Sequence, residues 1–171
     1  MPESPIDVSR DFQPQPPGGE FTIKKIYCKD VSFETPNSPA IFRSEWKPDA
    51  ELQLRTEARE VSPGEYEVVL MVTVTLSVGE NTAFLAEVNH AGIFGITGLN
   101  SDQMGRTLGS YCPSILFPYS REMVSELVIR GGFPPFILAP VNFDALYRKH
   151  LAGKSEEQPA APKSQNRTRS G

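Results

Sequence analysis

The residues able to do chemistry are few and poorly placed. Two thiols, Cys28 and Cys112, and two imidazoles, His90 and His150, are the whole stock in 171 residues. Cys112 stands directly before Pro113 in the apolar run GSYCPSILFP, with no histidine in the stretch around it. A thiol with no base to ionise it behaves as a small hydrophobe, not as a nucleophile. Two cysteines are too few for a disulfide framework or a four-ligand zinc site. Neither histidine has a partner at metal-ligand spacing, and no serine sits in a G-x-S-x-G elbow. The run GIFGITG at 92–98 has glycines like a phosphate loop, but lacks both the Lys-Ser/Thr ending and the G-x-G-x-x-G order. It reads as an irregular strand exit with close packing. Asp30 and Glu34 form an acid pair on a loop, with no base beside them. No catalytic residue, metal or cofactor is assigned, and the expectation is a protein that is not an enzyme.

What the chain has in quantity is acid and aromatic surface. Residues 30–90 hold eleven acidic and four basic side chains, against four acidic and five basic over 91–151. The formal net charge of −4 argues against nucleic acid as a partner, because phosphate contact relies on clusters of Lys and Arg. A solvated sheet face accounts for such acids; the functional alternative is a docking surface for a basic partner. Phe33, Phe42, Trp46, Phe133, Phe136 and Phe143 fall in two extended, proline-stiffened segments. Facing one another, these would make a groove with aromatic walls. Each large side chain of a bound peptide would gain roughly 1.5–3 kcal/mol there. The alternative is that the rings only cover the sheet and close the core.

The elements that position these residues follow from pattern. Phe21–Cys28 alternates weakly and predicts a strand, as does Glu51–Glu57. Tyr66–Val78 is the clearest element, with Tyr66, Val68, Leu70, Val72, Val74, Leu76 and Val78 on one face. Gly79-Glu80 turns the chain, and Thr82–His90 returns as its hairpin partner. The period then changes. Asn100 or Ser101 caps a helix that Pro113 and Pro118 bend or interrupt. Arg121–Arg130 continues helically, Gly131-Gly132 stops it, and Phe133–Pro140 is extended. Asn142 caps a short helix, Phe143–Leu151, with Asp144 in its first turn. Strands first and helices after predict an α+β domain: a four-stranded antiparallel sheet with helices on one face. Residues 1–20, with five prolines, read as a disordered arm and 152–171 as a flexible tail, leaving 21–151 as the folded domain. The N-terminus lacks the basic start and apolar core of a secretion signal, and no apolar run approaches a membrane span. A soluble, cytoplasmic protein is expected.

Several stretches, in order, resemble the SecB family of tetrameric protein-export chaperones: IYCKDVSFETPNSP (26–39), YEVVLMVTVTLSVGENTAFLAEV (66–88), GIFGITG (92–98), LGSYCPSILFPYSREMVSELVIRGGFP (108–134) and LAPVNFDALY (138–147). The resemblance covers about 21–151. It implies a crossover loop after the first strand, a long helix, a short terminal helix, and a homotetramer built as a dimer of dimers. It also implies binding of unfolded precursor proteins and their delivery to the SecA motor. By the same resemblance the client groove falls on Phe33, Phe42, Trp46, Phe136 and Phe143. The SecA contacts fall on Asp30, Glu34, Leu85 and Glu87, and the oligomer interface on Phe84, Ala86, Val88 and His90. Ala86 and His90 depart from the family's residues, and so does the basic tail with Lys163, Arg167 and Arg169. Two rivals remain at this level: a SecB-like chaperone dedicated to one client such as an antitoxin, and a structural or adaptor module that binds no client.

Overall fold

A computed structural model describes residues 18–156. Strands β1 (Glu20–Glu34), β2 (Pro48–Ser62), β3 (Glu65–Val78) and β4 (Asn81–Thr97) form one antiparallel sheet in the order β1-β4-β3-β2. Because β1 and β2 occupy opposite edges, residues 35–47 cross the end of the sheet; Ala40–Arg43 within them form a 3-10 turn. A helical path follows the sheet: α1 (Ser101–Arg106), a π-helical turn (Thr107–Tyr111) and α2 (Cys112–Arg130). After an extended segment, α3 (Phe143–Glu156) ends the described chain. The expected α+β architecture, with its crossover, long helical path and short terminal helix, is the observed one.

The core lies between the sheet's inner face and α2. Val68, Leu70, Val72, Val74 and Leu76 of β3 are fully buried, as are Phe84, Ala86, Val88, Phe94 and Ile96 of β4. Leu116, Val124 and Val128 of α2 close over them. Each such large side chain contributes roughly 1.5–3 kcal/mol by leaving water. α2 lies over β4 and β3, and β2 stands outside its cover, so that Leu54 and Thr56 are the only half-buried residues of β2.

Local chemistry sets the helix ends. The Asn100 side chain accepts from the Gln103 N–H, and the Gln103 side chain accepts from the Asn100 N–H, a reciprocal capping box. Pro113 has no N–H, and its ring opposes the carbonyl four residues back. The helix widens just ahead of it: the Cys112 N–H donates to the Thr107 carbonyl, five residues earlier. Pro118 does not interrupt the helix as expected; it sits on the exposed side of α2, which continues to Arg130.

Two strands are longer than the pattern suggests. β1 runs on through Glu34, so Asp30 and Glu34 belong to a strand and not to a loop. β4 runs through all of 92–97, so the glycine run is regular strand to Thr97. Its close packing is real: a Cβ on Gly92 would meet the Phe94 ring at 2.6 Å. The predicted arm and tail lie mostly outside the described residues, and α3 extends to Glu156, past the expected end at 151.

Candidate functional site

An aromatic patch forms where the crossover, the start of β4 and the end of α2 meet. Phe84, at 0% exposure, is its floor. Phe33 of β1 stacks on it at 5.5 Å between ring centroids. Phe133, the first residue beyond the glycine stop, lies 5.2 Å from Phe84 and 6.4 Å from Phe33. The crossover adds Phe42 and Trp46, 5.0 Å and 5.9 Å from Phe133. Phe136 meets Phe84 edge-on at 6.3 Å. Such pairs add about 0.5–1.5 kcal/mol beyond area burial.

The patch depends on how α2 ends. A Cβ on Gly131 would come within 2.4 Å of the Phe33 ring, so a side chain there would push the ring aside. Gly132 has φ +84, the left-handed conformation that stops a helix at little cost only for glycine. The Phe133 N–H then donates back to the Val128 carbonyl at 3.2 Å, folding the aromatic residue onto the sheet. Two side chains pin the walls. Asn37 donates to the Thr82 carbonyl at 2.9 Å, and the Ser125 hydroxyl lies 3.0 Å from the Phe136 carbonyl.

The rim is open. Phe42 is 50% exposed and Ile137 is 74% exposed, while Phe33, Trp46 and Phe136 are half-buried. Four of the five expected groove residues, Phe33, Phe42, Trp46 and Phe136, therefore come together. Phe143 does not join them. It is buried against Phe117 of α2 at 5.6 Å, because it opens α3 and faces the helix layer. Phe133, which the resemblance did not assign, is the hub of the cluster, and Phe84 lies under it.

That last residue was expected at an oligomer interface. Phe84, Ala86 and Val88 are at 0% exposure within a single chain, and His90 is buried too, all four on the inner face of β4 beneath the helix layer. In the single subunit Phe84, Ala86 and Val88 leave no exposed surface and His90 leaves 6%. The Ser120 hydroxyl and His90 Nδ1 are 3.2 Å apart, and the Tyr119 ring lies beside the imidazole. Burial lowers the His90 pKa, and the charge of Glu122 only partly opposes this.

The expected docking residues share the opposite, outer face. Glu34 pairs with Leu85 and Ser32 with Glu87, and Asp30 pairs with Asn89. Paired residues in an antiparallel sheet project to the same side. Asp30, Glu34, Leu85 and Glu87 thus form one corner, away from the aromatic patch. Asp30, Glu34 and Glu87 are exposed there, and Leu85 is half-buried.

Cys112 is fully buried, and burial pushes its thiol well above the usual range. Cys28 is exposed on β1, where its thiol faces the Asp30 carbonyl at 3.7 Å. Among the described residues no three His, Cys, Asp or Glu side chains could hold a metal ion, and no helix is long and apolar enough to cross a membrane.

The geometry is an apolar surface held in place on an α+β subunit. The family model described as Preprotein translocase subunit SecB matches residues 13–154, and the chain belongs to the SecB family. A relative called Protein-export protein SecB, from Methylococcus capsulatus, is 52% identical over 149 residues, covering 86% of this chain and 96% of its own. A protein of the same name from Marinobacter nauticus is 46% identical, covering 92% and 93%. Among solved structures, a Mycobacterium tuberculosis SecB-like chaperone in complex with an antitoxin peptide superposes with a TM-score of 0.59. It is 15% identical, and the match covers 71% of this chain and 90% of that one, which is a likeness of fold.

Proposed function

We propose that this protein is an export chaperone that holds precursor proteins in a nonnative, translocation-competent state in the cytoplasm and passes them to the SecA motor. The observation that carries the proposal is the open aromatic patch, where Phe42 stands half in water on a floor of Phe133 and Phe84. An unfolded chain exposes the apolar side chains such a surface can cover, and a folded one does not. Binding the unfolded form alone shifts the folding equilibrium towards it by mass action. No nucleotide or covalent step is needed. The protein acts as a homotetramer, a dimer of dimers, so that one client wraps several patches and gains avidity from weak single contacts. The outer corner of Asp30, Glu34, Leu85 and Glu87 receives a basic segment of SecA. The export reading is preferred to a single-client one because the relatives at 46% and 52% identity carry the export name. The antitoxin-bound neighbour shares the fold alone. The test is direct: the purified protein slows refolding of a precursor and forms a complex with SecA. Failure of both would end the proposal.

A further inference from the structure

Glu67 is the one buried carboxylate in the sheet, at 4% exposure, although it stands on the outer face of β3. It is held by three donors. Its Oε1 accepts from the Tyr27 hydroxyl and from Lys29 Nζ at 2.8 Å, and its Oε2 accepts from Arg59 Nε at 2.7 Å. Arg59 is its direct partner on β2. Tyr27 and Lys29 belong to β1, with β4 in between. Between them and Glu67, on β4, Ala91 stands opposite Tyr27 and is itself fully buried, while Ile93 is the β4 partner of Glu67. Nearby, Lys24 of β1 reaches Glu65 of β3 over Gly95, where an added Cβ would meet Lys24 Cε at 3.2 Å.

Lys29 is also the extra residue at the register shift between Cys28 and Asp30. A bulge re-aims side chains. Here it turns Lys29 towards Glu67 and leaves Asp30 paired with Asn89 at the acidic corner. The three hydrogen bonds hold the Glu67 carboxyl down at about 2, so it is ionised throughout the physiological range.

We propose that Glu67 is a positioning residue for the outer-face docking corner: it draws Lys29 away from Asp30, Glu34 and Glu87 and so keeps that corner negative. The inference rests on the reading of that corner as the SecA docking face. Its consequence is a pair of opposite effects. Glu67→Gln releases the cation beside the corner and weakens docking. Lys29→Met removes the cation outright and strengthens docking.

The test measures SecA binding to the full-length protein at about 0.01 M and at about 0.3 M salt, between which the screening length falls from about 30 Å to about 6 Å. Glu67→Gln is expected to weaken binding about threefold to tenfold at low salt and less at high salt. Glu67→Gln with Lys29→Met restores the net charge and the affinity. Lys29→Met alone tightens binding by a similar factor, which keeps the idea testable if Glu67→Gln does not fold. Absence of wild-type binding, or indifference to Asp30→Asn with Glu87→Gln, would sink the docking reading itself. Wild-type docking that depends on the corner but ignores Glu67→Gln would overturn this inference alone. So would a Glu67→Gln loss that Lys29→Met does not rescue, because that pattern means a structural role only.

Discussion

If an unfolded chain lies on the aromatic patch, Phe42 is the ring whose loss it should feel. Half of this side chain is in water, at 50% exposure, while the other half rests near Phe133. A large aromatic buries about 150–250 Å² when covered, so roughly 100 Å² of Phe42 remains for a client. At about 25 cal/mol per Å², full coverage is worth about 2.5 kcal/mol, and coverage of less than half about 1 kcal/mol. Phe42→Ala should therefore weaken binding about 5- to 70-fold. The matched control is Leu151→Ala, which removes a side chain 45% exposed on α3, away from the patch. It should change affinity less than about twofold, since an exposed residue outside the contact contributes nothing to it. The assay is fluorescence anisotropy with a labelled peptide short enough to occupy one patch, because a long client spread over several subunits would mask the loss by avidity. Circular dichroism and melting verify that both variants are folded. Equal affinity of Phe42→Ala and wild type, or an equal loss in Leu151→Ala, would refute the assignment of the patch as client surface.

Three further outcomes are expected. Phe84→Ala empties the floor of the patch and should cost about 3–5 kcal/mol of stability in urea unfolding, where an interface residue would cost little in the free subunit. Gly131→Ala puts a methyl 2.4 Å from the Phe33 ring and should lower stability by about 1–3 kcal/mol while weakening client binding; an unchanged protein would show that α2 does not set the patch. His90 is held below its ordinary value of 6.5, so between that value and its folded one the unfolded chain binds more protons than the native chain. Its contribution to stability is complete above 6.5 and is lost as pH falls through the folded value. Wild type should therefore lose more stability than His90→Gln between pH 7.5 and 5.5, and equal losses would contradict this.

β3 is legible because every inner-face position from Tyr66 to Val78 is apolar, even though Glu67 and Val69 of its outer face are buried as well. β1 was harder to read for a physical reason: its register shifts at Ile23/Lys25 and Cys28/Asp30, and each extra residue breaks the period of two. Asp30 and Glu34 thus looked like loop residues. The glycines of 92–98 looked like an irregular exit because strand glycines are rare. Here Gly92 yields space to the Phe94 ring and Gly95 to the Lys24 stem, both contacts made only after folding. Of the site, Phe33, Phe42, Trp46 and Phe136 were within reach of segment position. The path of the residues between Gly132 and α3 was not, and that path separates Phe133 from Phe143. Alternation on β4 carried a usable signal for Phe84, since it shares the inner face with Ala86 and Val88.

Trp46 is the chain's single tryptophan and stands in the patch, 5.9 Å from Phe133. Titrating the protein with an unfolded precursor that lacks tryptophan should shift Trp46 emission to the blue and saturate, while the same polypeptide in its folded form leaves the spectrum unchanged. An unfolded precursor that binds by an independent measure yet leaves Trp46 emission where it was would contradict the account.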